Sequence, residues 1–318
     1  MIKKIIDQLN ISSQCRRYGL SLWQCPQFLF MVMGGIILLT TIISYLIGAR
    51  YVADPELVSL VVLIIAGFLF IIAFAITRSF EKLAEASKLK SEFINIVSHQ
   101  LRSPLTNIKW TFEVLASEEF DVPKAKQDEY FVNVKENIAR MVELIDDLLI
   151  VSKLEEGVLS LAKTELDLAD LIKNMVSQYN VFAEASDIKL SFKVDDSIPK
   201  AFADASMLKL VIENLIDNAI RYTKGGGSID IKIKEEQNYL LCSIKDQGVG
   251  IPEKEQKHIF QKFFRAGNAL KQRTRGSGLG LYVCKLIINK SGGKIWFEST
   301  ENKGTTFYFT LPIIKKTN

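Results

Sequence analysis

His99 is one of two histidines in the chain, and it lies in the run SHQLRSPL at residues 98–105. Gln100 and Arg102 flank it and Ser103 and Pro104 follow, which predicts a polar, locally bent stretch of helix where a solvated imidazole can act as a nucleophile. Four more motifs downstream carry chemistry of another kind. On a helix over residues 207–223, Asn214 and Asn218 share one face, four positions apart. Buried amides on an apolar helix are costly unless they bind something, and an amide oxygen suits magnesium; the same pair also serves as a cap or a core hydrogen bond. Asp246 opens DQGVGIP (residues 246–252), where a carboxylate can accept from the exocyclic amine of adenine while Gly248 and Gly250 let the main chain approach a flat ring. By itself that run is equally an ordinary turn. GSGLGLYVCKLI (residues 276–287) enters a helix through Gly276, Gly278, Leu279 and Gly280, so that main-chain N–H groups and the helix dipole favour phosphate, although the lysine of a P-loop is missing. Finally, GTTFYFTLP (residues 304–312) closes the last strand with Thr305 directed at the same pocket.

These residues need elements to hold them. Strand-like runs at residues 188–194, 228–234, 239–246, 294–299 and 305–311 alternate with helices from about residue 167 onward, which predicts an α/β sandwich with helices on one face of a mixed sheet. Upstream, Leu83, Ala86, Lys90, Phe93, Val97 and Gln100 fall at spacings of three and four, an imperfect coiled-coil seam. A second helix over residues 124–155 presents Phe131, Val134, Ile138, Met141, Ile145, Leu148 and Leu149 on one face and stops at Gly157, with SEEFDVP (residues 117–123) as the turn between the two. Such a hairpin cannot bury its own stripe, so two chains are expected to pair as a four-helix bundle.

Residues 28–49 and 58–77 are free of charge and long enough to cross a bilayer core, and the short segment between them makes them a helical hairpin. Lys3, Lys4, Arg16 and Arg17 precede the first span and Arg78, Lys82, Lys88 and Lys90 follow the second, so both ends are expected in the cytoplasm. Ile2, Ile5, Ile6 and Leu9 fit a short amphipathic helix on the membrane surface, or equally a poorly ordered tail. At 318 residues the chain has room for about two domains of ordinary size. A net charge of +4 is too weak for a nucleic-acid partner, and the four scattered cysteines suggest neither a zinc site nor a disulfide framework, which fits a reducing setting.

SHQLRSPL resembles the H-box of sensor histidine kinases, usually S-H-E-L-R-T-P-L, and the four later motifs, in their order and spacing, resemble the nucleotide boxes shared by histidine kinases, gyrase-type topoisomerases, Hsp90-type chaperones and mismatch-repair ATPases. The resemblance spans residues 78–312. It implies a membrane-bound sensor histidine kinase that autophosphorylates on His99 from ATP and passes the phosphoryl group to an aspartate in the receiver domain of a response regulator, with dephosphorylation of that regulator as a further activity. The implied parts are an amino-terminal arm (residues 1–27), a two-helix transmembrane hairpin (28–77), an all-α dimeric four-helix-bundle phosphoacceptor domain (78–157) and an α/β sandwich ATP-binding domain of the GHKL or Bergerat type (165–315).

Carried over residue by residue, Asn218 is the magnesium ligand with Asn214 in support, and Arg221 and Tyr222 border the phosphates and base. Asp246 reads adenine beside Gly248 and Gly250, while Gly276, Gly278, Leu279 and Gly280 admit the phosphates. Thr305 completes the pocket. The segment 251–275 looks like the family's lid over ATP, with Phe260, Phe263 and Phe264 as its apolar hold and Arg265 at the phosphates, and His258 within it reads as a surface residue. Two departures matter. Gln100 stands where the family has Glu or Asp, and an amide can accept the imidazole N–H but cannot offset the developing positive charge, which leaves a catalytically degenerate nucleotide-binding scaffold as the alternative. Ser103 stands where Thr or Asn serves regulator dephosphorylation. The ATPase relatives carry a glutamate at the place of Asn214 to activate water; Asn cannot be a base, which favours transfer to a protein nucleophile over hydrolysis. The implied setting is the inner (cytoplasmic) membrane of a prokaryote, as a homodimer in contact with lipid and with either an intramembrane stimulus or a membrane sensor protein as input.

Overall fold

The computed structural model describes residues 25–52, 54–116, 123–195, 198–223, 225–267 and 276–313. The amino-terminal arm, most of the turn at 117–123 and residues 268–275 of the lid therefore lie outside the described residues. The chain divides into two units, residues 1–99 and 100–318.

The first unit is built from α1 (Pro26–Tyr51) and the leading part of α2 (Pro55–Ala116). Both helices are long and apolar enough to cross a membrane. They pack against each other: the rings of Phe30 and Phe70 meet edge to face at 6.1 Å, and a Cβ built at Gly48 would lie 2.5 Å from Val58 Cγ1, so glycine is what lets the two helices close at the turn. The hydroxyls of Thr40, Thr41 and Thr77 donate to main-chain carbonyls three or four residues back, at 2.6–2.9 Å, which keeps polar groups satisfied on helices otherwise suited to lipid. One expectation is corrected here. Cys25 is fully buried and disulfide-bonded, while Cys242 and Cys284 are free; spacing along the chain carries no information about a cross-link made in three dimensions.

In α2 the second apolar span runs on without a break, through the H-box and Pro104, to Ala116. Proline has no N–H to offer the carbonyl of Gln100, four residues back, so the helix loses one bond next to His99. Leu83, Ala86 and Lys90 of the expected seam are exposed, whereas Phe93, Val97 and Gln100 are half-buried and the neighbouring Ala84 and Pro104 are buried. Helix α3 (Lys124–Glu155) ends as expected, with Gly157 at a φ of 71°. Its buried positions, Leu144, Asp147, Val151 and Leu154, differ from the predicted stripe, of which Phe131, Ile138, Ile145 and Leu149 are exposed. The helix thus has two working faces. One packs within the second unit, and the other, at a heptad-like spacing, is exposed and has no partner among the described residues.

The rest of the second unit is one layer of helices on one sheet. In chain order it contains β1 (Thr164–Leu166), α4 (Leu168–Glu184), β2 (Ile188–Val194), β3 (Ala201–Ala203), α5 (Ala205–Tyr222), β4 (Gly227–Glu236), β5 (Tyr239–Lys245), the single turn α6 (Glu253–Gln256), α7 (Gly280–Ser291), β6 (Ile295–Thr300) and β7 (Gly304–Pro312). The main sheet has the order β2-β4-β5-β7-β6, parallel only between β2 and β4. The short β1–β3 pair is an addition that three-residue strands, TEL and AFA, do not announce in sequence. Alternation sets the core: Ile229, Ile231 and Ile233 of β4 and Leu240, Cys242 and Ile244 of β5 turn inward to meet Leu208, Ile212, Leu215 and Ile216 of α5 and Val283, Ile287 and Ile288 of α7. Asp204 starts α5 by accepting from Ser206 and Met207 N–H at 3.0 and 3.2 Å, a cap worth about 1 kcal/mol.

Candidate active site

Helix α5 and the entry of α7 form one wall of the site. Asn214 donates from Nδ2 to Leu210 O at 3.0 Å, and a Cβ added at Gly280 would fall 2.2 Å from Asn214 Oδ1, so the glycine is required for α7 to begin against this amide. One turn on, Asn218 is half-buried, lines the pocket and makes no side-chain hydrogen bond among the described residues. Its amide is available to a ligand. Arg221 pairs with Asp217, and Gly276, with its φ of 151°, brings the glycine loop to within contact of the Arg221 guanidinium. Gly278, at a φ of 73°, packs where a side chain would meet the main chain of Phe263 at 2.8 Å. Arg221, Tyr222, Gly276, Gly278 and Gly280 all line the pocket. Leu279 does not: it is fully buried, and its N–H is held by Ser277 Oγ at 3.1 Å.

Asp246 sits at the opposite end, 5% exposed at the close of β5. Its Oδ1 accepts from Gly248 N–H at 2.8 Å and Thr305 N–H at 3.0 Å, which leaves Oδ2 without a protein partner among the described residues. Burial pushes this carboxyl above the ordinary range, and the two N–H bonds pull the other way. A half-satisfied buried carboxylate lining a pocket suits a ligand with a fixed amine donor. Gly248 is not in the pocket wall; a Cβ there would meet Tyr222 O at 2.5 Å, so its task is to let the two segments cross. Gly250 does line it, at a φ of 64°. Thr305 lines the pocket as expected, with its hydroxyl 2.8 Å from Ser299 Oγ.

Of the lid, Phe260 packs edge-on against Phe297, Phe264 rests on the core, and Arg265 is half-buried in the pocket wall. Burial lowers the pKa of Arg265, and the charges of Arg140 and Arg221 lower it further, while Tyr222 acts in the opposite sense. His258 is partly exposed at the surface, its ring 5.5 Å from that of Phe264 and its Nδ1 3.1 Å from Gln261 Oε1. His99 and Ser103 are exposed on α2 and Gln100 is half-buried.

Sequence reasoning missed the contribution of α3. Glu143 lines the pocket, Ser277 Oγ donates to Asp147 Oδ2 at 2.7 Å, and Glu155 receives both Lys262 Nζ at 2.7 Å and the Tyr282 hydroxyl. The signal was present: Asp147 falls in register with Leu144, Val151 and Leu154, a charge at a core position. Burial holds its carboxyl above the usual range, with Glu143 and Asp146 adding to the effect and the Ser277 hydrogen bond opposing it. An acid whose folded pKa is raised stabilises the fold fully below its unfolded pKa, and that contribution is lost as pH rises through the folded value. Asp147→Asn keeps the acceptor for Ser277 and removes the charge. The variant should gain about 1 kcal/mol, or about 2–4 °C in Tm, at neutral pH and nothing below about pH 4. A thermal melt of both proteins at the two pH values checks this; a lower Tm for the variant at neutral pH contradicts it.

Comparison with known proteins meets this geometry. Residues 89–157 match the His Kinase A (phospho-acceptor) domain, and residues 203–315 match the histidine kinase-, DNA gyrase B- and HSP90-like ATPase family. The adaptive-response sensory kinase SasA of Crocosphaera subtropica is 36% identical over 247 residues, which cover 76% of this chain and 64% of that protein. The alginate biosynthesis sensor protein KinB of Pseudomonas aeruginosa is 33% identical over 237 residues, covering 74% of this chain and 38% of that protein. This chain therefore spans 64% and 38% of the length of these two curated relatives. Among solved structures, histidine kinase ThkA in complex with response regulator protein TrrA aligns with a TM-score of 0.59 at 26% identity, covering 74% of this chain and 65% of that one. Acinetobacter baumannii histidine kinase AdeS, at 21% identity and a TM-score of 0.56 over 68% of this chain and 98% of that one, shares the fold.

Proposed function

The chain belongs to the sensor histidine kinases, with a phosphoacceptor helical domain joined to a Bergerat-type ATP-binding domain, and from that premise we propose that it transfers the γ-phosphoryl group of ATP to His99 and then to an aspartate of a response regulator. The observation that carries the reading is the pocket itself, with an unspent carboxylate oxygen of Asp246 at one end and Asn218, Arg221, Arg265 and the glycine loop at the other. A purine amine suits the first end and a triphosphate the second.

In the reaction an imidazole nitrogen of His99 attacks the γ-phosphorus, the bond to the β–γ bridging oxygen breaks, ADP leaves, and the ring gives up its remaining proton as the phosphoramidate neutralises. Such a transfer needs positioning and charge neutralisation more than covalent help from the protein. The protein supplies the positioning through Asp246, Thr305 and the glycine loop. Arg221 and Arg265 supply positive charge. The amide oxygen of Asn218 would hold magnesium, which would neutralise phosphate charge there. Gln100 can accept the imidazole N–H without balancing its charge, so Gln100→Glu is expected to raise the autophosphorylation rate about 3–10-fold at saturating ATP. An equal or slower rate in that variant removes the assigned role of Gln100.

The exposed stripe of Phe131, Ile138, Ile145 and Leu149 supports pairing with a second copy as a four-helix bundle, on which a regulator receiver domain docks. Two spans with both ends in the cytoplasm follow from the lysines and arginines that flank them. The unbroken helix from Pro55 to Ala116 offers a direct route for an intramembrane signal to reach the H-box. The full chain incubated with γ-labelled ATP should acquire label that is lost in acid and kept in alkali. Nucleotide binding without label would turn the reading to a catalytically degenerate scaffold.

A further inference from the structure

Ser277 stands between Gly276 and Gly278 in the phosphate loop and lines the pocket with them. Its hydroxyl has a single proton, which it gives to Asp147 Oδ2 at 2.7 Å, while its oxygen accepts the N–H of Leu279 at 3.1 Å. A relay therefore runs from the entry of α7 through the loop to α3, and both donors are spent inside the protein. Asp147 is 8% exposed, on the face of α3 that carries Leu144, Val151 and Leu154 into the core. Ser277 is its hydrogen-bond partner among the described residues, and the charges that act on it, Glu143 and Asp146, have its own sign. Glu143 is itself in the pocket wall. A serine in the core needs an acceptor, which an amide supplies at no cost in charge. The carboxylate instead puts a buried negative charge one hydrogen bond away from a loop on which a triphosphate is to rest. Arg221 and Arg265 in the same wall, and Arg140 beside it, attract an anion, but Coulomb energies add pairwise and the sign of the Asp147 contribution does not depend on them.

We propose that Asp147 sets the affinity of the ATP site, as a positioning residue of the phosphoacceptor domain that weakens the hold of the glycine loop on the phosphates. It acts in two ways of the same sign. It claims the Ser277 proton that a phosphate oxygen would otherwise accept, and its charge opposes that of the nucleotide. The second effect grows with the charge of the ligand, so ATP is opposed more than ADP. Because Asp147 stands on α3, a shift of that helix away from the loop returns the Ser277 hydroxyl to the phosphates, removes the charge and tightens ATP. By linkage, bound ATP favours the same shift. The phosphoacceptor domain thereby tunes the site that supplies its phosphoryl group.

The inference rests on the kinase reading, and its test separates the two. In the full chain, in detergent micelles at neutral pH, with His99→Ala to prevent turnover, affinities for magnesium-ATP and magnesium-ADP are measured with Asp147 intact, with Asp147→Asn and with Asp147→Ala. Asp147→Asn keeps an acceptor for Ser277 and removes only the charge; it should bind ATP on the order of tenfold more tightly, with a smaller gain for ADP. Asp147→Ala also frees the Ser277 hydroxyl and should gain at least as much for ATP, even where its Tm is lower. Unchanged or weaker ATP binding in Asp147→Asn, or equal gains for both nucleotides, overturns the proposal and leaves Asp147 a structural role only. If both variants gain ATP affinity while the chain with His99 intact never acquires label, the proposal stands and the kinase reading fails. Label without any gain in affinity marks the reverse.

Discussion

Asp246→Asn is expected to lower ATP affinity by about a hundredfold while leaving the unliganded fold almost as stable as before. The reason is which oxygen does what. Oδ1 is committed to the N–H groups of Gly248 and Thr305, and an asparagine carbonyl can accept both, so the crossing of β5 and β7 survives. The amide nitrogen then replaces Oδ2, the atom without a protein partner among the described residues, and turns an acceptor into a donor facing the donor amine of adenine. Losing a hydrogen bond to a charged group and leaving a donor unpaired adds to about 3 kcal/mol. Removal of the charge also relieves the cost of a buried carboxylate whose pKa is already raised, which is why the empty fold should not suffer. Titration with magnesium-ATP beside a thermal melt without nucleotide reads both halves. Because the new donor suits a carbonyl at the same ring position, the variant's ATP-over-GTP preference should narrow; an unchanged preference would place the base elsewhere.

The second large effect is expected at Asn218. Asn218→Ala should slow autophosphorylation by a factor on the order of 100–1000, and added magnesium should not restore it. Asn218 is the amide in the pocket wall whose side chain has no hydrogen bond among the described residues, whereas Asn214 is tied to Leu210 and abuts Gly280. The two asparagines therefore fail differently. Asn214→Ala removes a packing and hydrogen-bonding element and should show as a lower Tm, with rate following stability. Asn218→Ala should leave Tm near that of the parent and show in the rate at saturating ATP. Rates for the two variants that fall in proportion to their loss of Tm would mean that neither amide acts on a ligand.

Much of this arrangement was legible in the sequence, for physical reasons. Alternation in SIDIKIK and YLLCSIK makes strands β4 and β5 readable, and the glycines at 248, 250, 276, 278 and 280 mark places where the chain packs too closely on other protein atoms for a side chain to fit freely. The limits of α3, Lys124–Glu155, follow from its periodicity and from Gly157. What was not legible depends on tertiary contact. Helix periodicity gives a face but not its partner, so the predicted stripe of α3 and the face that packs on α7 were not told apart, and Asp147 and Glu155 went unnoticed as its contacts with the glycine box and α7. Three-residue strands β1 and β3 carry too little alternation to be seen, and the disulfide at Cys25 has no spacing signature. Leu279 and Gly248 sit inside the pocket's motifs but not in its wall; a motif names a segment, and only packing decides which of its residues face the cavity.

The central claim is that the phosphoryl group of ATP is received by His99. The chain has one other histidine, His258, so the direct measurement is to incubate the wild-type, His99→Ala and His258→Ala chains with γ-labelled ATP and magnesium and to compare acid-labile label. The account predicts label in the wild type and in His258→Ala and none in His99→Ala, with nucleotide binding retained in all three. Label that persists in His99→Ala, at any residue, would contradict it.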